Sequence, residues 1–485
     1  MSYIEGGWPG SNPKDLEFFR QVKELDLQNS RITAFSSTRK PGIPAKKDSN
    51  IKALLESGVN TVAIFGKTWD FHVLRALETS LEENLSMIED TVSFLKGRGL
   101  EVIFDAEHFF DGYKNNTGYA LKVLQTAADA GADWLILCDT NGGMLSWEIE
   151  SVIENVKGFI NTPMGIHAHN DSGCAVSNSL VAVRMGCTQV QGTINGYGER
   201  CGNVDLCSVI SNLEIKMGKK VLPEGKLKHL SQASRYVSEI ANMPHYNNQP
   251  FVGHGAFAHK GGIHVSALLK DSLTYEHIDP EEVGNHRRVL VSELSGLSNL
   301  LYKARELNID VNSYDAETRK VIKQIKELEN QGLQFEGADA SLELFLRKAF
   351  GQYEEFFQLK NLKIILEKNE DGEITAEAVI KVTVGDKTFH TAAEGDGPVN
   401  ALDNSLRKAL LEIYPSINEM YLSDYKVRVL NGNKGTAARV RVLIESADKT
   451  AKWSTVGVSE NIIEASWQAI VDSINYMLMK QYLDL

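Results

Sequence analysis

Short β-branched runs alternate with amphipathic helical stretches from the N-terminus to about Lys219. Seven runs have the character of strands: SYIEG (2–6), RITAF (31–35), TVAIF (61–65), EVIFDAE (101–107), WLILCDT (134–140), MGIHAHN (164–170) and QVQGTIN (189–195). Between them lie helical patterns such as 80–99 and 116–131, several ending in glycine just before the next run, as a helix C-terminus does. Strand–helix repetition of this kind predicts a parallel sheet or barrel. Polar residues gather just after the strands: Glu5, Lys67, Glu107, Asp139, Thr140, His167, His169 and Thr193. In a β/α barrel that is the catalytic face. A doubly wound open sheet would not place functional groups after every strand. The expected class is therefore α/β, with a TIM-type (β/α)8 barrel over residues 1–220. Seven strand–helix units are counted, where a closed barrel of this type has eight.

The pattern changes twice beyond the barrel. Residues 221–355 are helical, charged and poor in strands, with a strongly polar helix expected over 310–334, and read as helical linker subdomains. From residue 356 to 485, strand-like runs (LKIILEK, EITAEAVIKVTV, KVRVLNG, ARVRVLIES, AKWSTVGV) alternate with two helices, at 398–414 and 461–479. HTAAEGDGPVNALDNSLRKAL and WSTVGVSENIIEASWQAIV each run strand, small-residue turn, helix. Two such units predict a pseudo-symmetric α+β module. NGNKGT (431–436) lacks the spacing of a phosphate loop and sits between two strands, so a hairpin turn is expected.

Composition narrows the function classes. A hydrophobic content of 42% and a charged content of 24% are those of an ordinary globular protein. No apolar stretch approaches a membrane span, and MSYIEGGWPG has no basic region followed by an apolar core, so a cytoplasmic protein without membrane partners is expected. The formal net charge of −13 argues against nucleic-acid binding. Five scattered cysteines with no CxxC pair suggest reduced thiols.

Four motifs carry candidate chemistry. In GIHAHNDSG (165–173), His167 and His169 stand at i and i+2 of a strand and point to one face. Two imidazoles so placed can bind one divalent metal, or they can form a hydrogen-bonded polar pair at a strand end. GTINGYGERCGN (192–203) is a glycine-rich loop carrying Thr193, Glu199, Arg200 and Asn203. It can be a plain turn, or the source of another metal ligand and of acyl-carrier contacts. In FDAEHFFDGY (104–113), Glu107 ends a strand with aromatics behind it. A carboxyl beside apolar rings can be raised in pKa for acid–base work, but an exposed loop acid is the commoner fate. LCDTNGG (137–143) offers Thr140 and backbone amides to a carboxylate, or simple strand-end capping.

Taken together, HAHNDSGCAVSNSL, QGTINGYGERCGN, AFAHKGGIHVSAL and the C-terminal repeat resemble, in order and over nearly the whole chain, the DRE-TIM metallolyase superfamily. The resemblance is to its synthase branch of 2-isopropylmalate, homocitrate and citramalate synthases. IEGGWPGSNPKD and DAEHFFDGYK look most like the citramalate synthases. The resemblance implies a barrel, a helical linker and a C-terminal regulatory domain that binds an amino-acid effector, isoleucine or leucine, in a homodimer. It implies a divalent metal (Mg, Mn or Zn) and a Claisen-type condensation of acetyl-CoA with pyruvate in isoleucine biosynthesis. By motif position, His167, His169 and Asn203 would be metal ligands, and Glu107, Thr140 and Thr193 would contact the 2-oxo acid. Gly198, Glu199 and Arg200 would contact acetyl-CoA. His264 and Tyr275, with Glu107, would be catalytic, reaching in from the linker of a second subunit.

Members of that superfamily open with a strand bearing an Arg-Asp pair in a DTTLRDG-like motif, and the chain begins at the family's second strand. The expectation is a barrel lacking its first strand, with unpaired edges at SYIEG and QVQGTIN, poor solubility and little synthase activity by itself. Two rival functions stand beside this one. A synthase for a larger 2-oxo acid would give 2-isopropylmalate or homocitrate, unless Phe109, Phe110 and Tyr113 narrow the pocket rather than merely pack. The other rival is an inactive amino-acid-binding partner.

Overall fold

The computed structural model describes residues 1–311, 316–368, 370–430 and 432–482. All seven expected strands form: β1 (Tyr3–Glu5), β2 (Arg31–Ser37), β3 (Thr61–Lys67), β4 (Glu101–Glu107), β5 (Trp134–Asp139), β6 (Met164–Ala168) and β7 (Gln189–Gln191). They pair in parallel in chain order, with β1 and β7 at the two ends of the sheet. This is the order of a β/α barrel opened between its first and last strands, a half-barrel. A doubly wound sheet would reverse direction at a switch point.

Local chemistry explains the helices between the strands. The Leu81–Lys96 helix starts where the Ser80 side chain accepts the Glu83 N–H, and Thr117–Asp129 starts where Asn116 accepts from Tyr119. The Ala175–Met185 helix ends at Gly186, whose φ of 111° is the left-handed region that glycine tolerates. These helices cover the outer face of the sheet. Val62, Ile64, Phe104, Leu135, Leu137 and Ile166 are buried there with Ile88, Val92, Leu95, Val123 and Leu124.

Side chains alternate along a strand, so the remaining positions point to the inner face. There Ala63, Ile103, Ile136 and Cys138 cluster with Tyr3, Phe35 and Trp134. Two or four residues further along the same strands, the alternation places Glu5, Lys67, Asp105 and Glu107 on that face, joined by His167 and Gln191 from β6 and β7. The inner face thus turns from apolar to ionisable at the strand C-termini.

The chain forms two compact units. The first comprises residues 1–257 and 278–286, the second 258–277 and 287–485. In the second, β8 (Ala258–His259) pairs with β9 (Arg288–Val289), and helices Leu297–Glu306 and Ala316–Asn330 follow. Of the polar helix expected over 310–334, residues 312–315 lie outside the described residues.

The C-terminal repeat is a pair of three-stranded antiparallel sheets, each leading into a helix. β10 (Gln358–Lys368), β11 (Ile374–Val384) and β12 (Lys387–Gly395) precede helix Pro398–Leu410. β13 (Tyr421–Val429), β14 (Val440–Ala447) and β15 (Lys452–Ser459) precede helix Ile462–Tyr482. One apolar core serves both halves, including Ile380, Val382, Leu402 and Leu406 from one and Val442, Ile444, Ile470 and Ile474 from the other. In each half a glycine near the end of the last strand lets the following helix pack close against it. A Cβ at Gly395 would meet the Ala401 nitrogen at 2.4 Å, and one at Gly457 would meet the Ala465 carbonyl oxygen at 2.0 Å. Helix Asp339–Ala349 joins this core, its Ser341 hydroxyl donating to Asp472 at 2.6 Å and accepting from Val456 N–H at 3.0 Å. In the expected NGNKGT hairpin, Asn431 lies outside the described residues. Gly432–Ala437 forms a 3-10 turn between β13 and β14.

All five cysteines are free. Cys138, Cys187 and Cys207 are buried, and burial pushes the thiols of Cys187 and Cys207 up to about 12 and that of Cys138 well above its ordinary value. Cys174 is half-buried and Cys201 is exposed.

Candidate active site

β6 delivers His167, and the chain leaves the strand after Ala168. His169 therefore lies just past the strand rather than on it, held by a single bridge to Asn203. The two imidazoles still face together, their ring centroids 5.2 Å apart and 27° from parallel. The His169–Asn203 bridge brings the third expected donor to the same place.

Hydrogen bonding defines what this trio can hold. His167 Nδ1 lies 2.8 Å from Gln191 Oε1, and Nε2 lies 2.8 Å from Asn203 Oδ1. Both amides present oxygen to the ring because their nitrogens are engaged elsewhere. Gln191 Nε2 donates to Asp105 Oδ1 at 3.0 Å, and Asn203 Nδ2 donates to the Tyr197 carbonyl at 3.2 Å. A neutral imidazole has one N–H to give, so one of its nitrogens meets an oxygen lone pair to lone pair. A cation resolves that conflict. His169 Nδ1 is buried with no partner, a loss of about 1–3 kcal/mol for an ordinary polar group. Burial, then the neighbouring His167 and Arg200, push the His169 pKa down to about 4, which keeps it neutral as a metal ligand must be. Two imidazoles, in the neutral form that a metal binds, and an amide oxygen suit a divalent cation. Among the described residues, no group of three or more His, Cys, Asp or Glu side chains is placed to hold one, and the third donor beside the two imidazoles is the amide oxygen of Asn203.

Carboxylates crowd the same face. Burial, reinforced by Asp105 and opposed by His167, lifts Glu5 to about 7. Burial lifts Asp105 to about 7 against the hydrogen bond from Gln191. On the other side of β5 from Cys138, Asp139 rises to about 6 through burial, offset by N–H donors from Met144 and Gly143. Glu107 differs from its expected setting. It ion-pairs with Lys67, its register partner on β3, instead of lying against apolar rings. Phe109 and Phe110 turn away and are fully buried in the main core, with Tyr113 packed against it, so these rings serve packing.

Loops after the strands close the site. Thr140 accepts the His108 N–H on its hydroxyl at 2.8 Å, and its carbonyl accepts from Arg200 at 2.7 Å. Arg200 also grips Asp171 with two bonds, at 2.7 and 2.9 Å. Thr193 donates its hydroxyl proton to the Tyr197 carbonyl at 2.6 Å. His108, Asn195 and Arg200 all hold positive φ, of 56°, 66° and 54°. Such residues cost about 1–3 kcal/mol each and cluster at functional sites. Glycine is required at Gly202, with φ 91°, where a Cβ would meet the Gly196 carbonyl oxygen at 2.0 Å and displace the adjoining Asn203. Gly198 and Glu199 are exposed on this loop. Beneath it lies a cavity of about 180 Å³ bordered by Tyr197, Cys201, Asn203, Asp205 and Tyr246.

The structure thus gathers His167, His169, Asn203, Glu107, Thr140, Thr193 and Arg200 at one end of the sheet in the first unit. His264 and Tyr275 belong to the second unit, where their rings stack with centroids 4.1 Å apart. Sequence reasoning assigned no role to Asp105 or Gln191. The signal was present: an acid inside a parallel strand that is otherwise apolar runs against the usual burial preference.

Comparison with known proteins shows the family of the chain. The HMGL-like family model matches residues 1–237, the homocitrate synthase post-HMGL domain-like model 251–333, and the LeuA allosteric (dimerisation) domain model 336–478. An (R)-citramalate synthase of Geobacter sulfurreducens is 54% identical over 481 residues, covering 99% of this chain and 91% of the relative. One from Aquifex aeolicus is 53% identical with the same coverage. A 2-isopropylmalate synthase of Methanocaldococcus jannaschii is more distant, at 31% identity over 99% of this chain and 88% of that protein. With identities above one half along almost its entire length, and with all three domain models in family order, the chain belongs to the (R)-citramalate synthase family.

Proposed function

We propose that the chain condenses acetyl-CoA with pyruvate and that water then hydrolyses the thioester to give citramalate and CoA, and that His167, His169 and Asn203 hold a divalent metal for this reaction. The observation that carries the reading is the convergence of two imidazole rings and an amide oxygen beside a layer of ionisable groups. A divalent metal bound there supplies Lewis-acid polarisation of the 2-oxo group. The remaining work falls to the chain. Glu107, fixed by Lys67, and Thr140 orient the 2-oxo acid, with Thr193 ordering the loop beside it. The backbone of Gly198–Arg200 borders acetyl-CoA. His264 and Tyr275 of a second copy in the homodimer handle the proton removed from the acetyl methyl group. Residues 1–220 form the catalytic domain, 221–355 the linker and 356–485 the regulatory domain of a cytoplasmic enzyme. Among the described residues no helix is long and apolar enough to cross a membrane.

The test is a ratio, independent of absolute rate. CoA release should depend on added divalent metal and be at least about ten-fold faster with pyruvate than with 2-oxoisovalerate, whose extra methyls must fit the same pocket. Equal rates with the two acids would overturn the pyruvate assignment.

The effector is an amino acid, isoleucine or leucine, bound at the paired turns of Gly395 and Gly457. Gly457→Ala drives a methyl group into the Ala465 carbonyl and separates strand from helix there. Inhibition by isoleucine should weaken at least about five-fold in this variant, the lower end of ordinary coupling, with uninhibited turnover unchanged. Full inhibition in Gly457→Ala would place the effector elsewhere.

A further inference from the structure

Asp105, Gln191 and His167 come from β4, β7 and β6 and meet on the inner face of the sheet. His167 and Gln191 are cross-strand register partners, whereas Asp105 reaches Gln191 from three strands away. An isolated glutamine amide can present either its oxygen or its nitrogen to a neighbour. Here the choice is made by Asp105, which offers acceptors to the Gln191 amide nitrogen. That turns Gln191 Oε1 toward His167 Nδ1, at 2.8 Å. Asn203 Oδ1, 2.8 Å from Nε2, is an acceptor fixed in the same way by the Tyr197 carbonyl, but as metal donors it and Nε2 both turn lone pairs to the cation, which leaves Nδ1, facing Gln191, as the nitrogen that carries the proton.

We propose that Asp105 and Gln191 form a positioning relay that fixes the ring orientation and tautomer of His167, so that Nε2 is always the donor presented to a metal. The inference rests on the metal reading above and adds two residues to it. It does not depend on the charge of Asp105, because the carbonyl oxygen of a carboxylic acid accepts from Gln191 as a carboxylate does. Partners that hold the far nitrogen of a liganding histidine commonly tune affinity by about 10–100-fold. Those partners are ordinarily a single carboxylate or carbonyl. Here the buried acid acts one step removed, through an amide, and the full negative charge is kept off the imidazole.

The relay makes a serial prediction. Gln191→Leu removes the acceptor, and Asp105→Leu removes the anchor that orients it. Each should weaken binding of manganese(II) alone to the full chain by about 10–100-fold. Asp105→Asn keeps an acceptor oxygen and should stay within about three-fold of the parent, a difference below ~0.7 kcal/mol. The double variant Asp105→Leu/Gln191→Leu should be no worse than either single change, because the two act in line. A second measurement reads the tautomer directly in metal-free protein. Nitrogen NMR of 15N-histidine-labelled chain, with the His167 signal identified by its loss in His167→Gln, should show the Nδ1–H form in the parent and in Asp105→Asn. The Leu variants should show a mixture or the Nε2–H form.

Leu variants that bind manganese as tightly as the parent, or that retain the Nδ1–H form, would overturn the relay. Equal weakening in Asp105→Asn and Asp105→Leu would also overturn it, since packing alone would then account for the loss. Failure of the parent to bind manganese would instead overturn the metal reading, and the NMR arm would still decide whether Asp105 and Gln191 set the tautomer.

Discussion

Replacing either His167 or His169 with Ala is expected to weaken divalent-metal binding and metal-dependent turnover by more than about 100-fold, beyond the loss usual for groups that only support a ligand. The two changes should differ in their effect on the metal-free protein. His167 hydrogen-bonds one of the two amide oxygens that flank it, those of Gln191 and Asn203, so its loss leaves an acceptor unpartnered inside the site. His169 Nδ1 has no hydrogen bond to lose. Removing it should leave the metal-free stability unchanged or raised, since an orphaned buried nitrogen is itself unfavourable. A residue whose removal ruins binding while sparing the fold is a ligand. A hydrogen-bonded polar pair at a strand end would behave in the opposite way. Undiminished turnover in either variant, relative to the parent assayed in parallel, would sink the metal assignment.

The second large effect concerns pH. Asp105 is buried, and its pKa stands at about 7 against an ordinary 3.8. A carboxyl whose folded pKa is raised stabilises the fold relative to its ionised form at low pH. That contribution is complete below about 3.8 and disappears as pH climbs through about 7. At pH 8 the ionised, desolvated group costs on the order of 4 kcal/mol. Asp105→Asn keeps the hydrogen-bond acceptor for Gln191 and cannot ionise. In chelator-treated protein, urea unfolding should therefore show the variant gaining on the parent from pH 4 to pH 7, with the gap constant above that. A gap that does not change with pH would show that Asp105 is solvated or already paired.

Much of the fold was legible because parallel strands buried on their outer face demand continuous β-branched runs. RITAF, TVAIF and EVIFDAE each start where the strand does. The ends were less legible. QVQGTIN keeps strand pairing only over Gln189–Gln191, because Thr193 is drawn aside to Asp205 and Ile194–Gly196 coils into a 3-10 turn. At the site, the His-x-His spacing identified His167 and His169, although His169 gets its direction from Asn203 and not from the strand. The Lys67–Glu107 pair was hidden for a definite reason. It depends on the register of β3 against β4, which aligns the last residues of two seven-residue strands. The relay from Asp105 to Gln191 spans 86 positions in sequence and required the sheet itself. The left-handed backbone at His108 and Arg200 carries no residue-type signal at all.

The distribution of thiols has a practical consequence. A buried thiol held near pKa 12 presents almost no thiolate at neutral pH, and thiolate is the form that alkylating reagents attack. Cys138, Cys187 and Cys207 are thereby shielded twice over, by access and by ionisation. Cys201 stands exposed on the loop that presents Asn203, bordering the cavity beneath it. With Cys174 changed to Ser, a maleimide dye would mark this one position without unfolding the protein. The sequence thus already carries a nearly unique attachment point for a fluorophore, placed on the loop that presents Asn203.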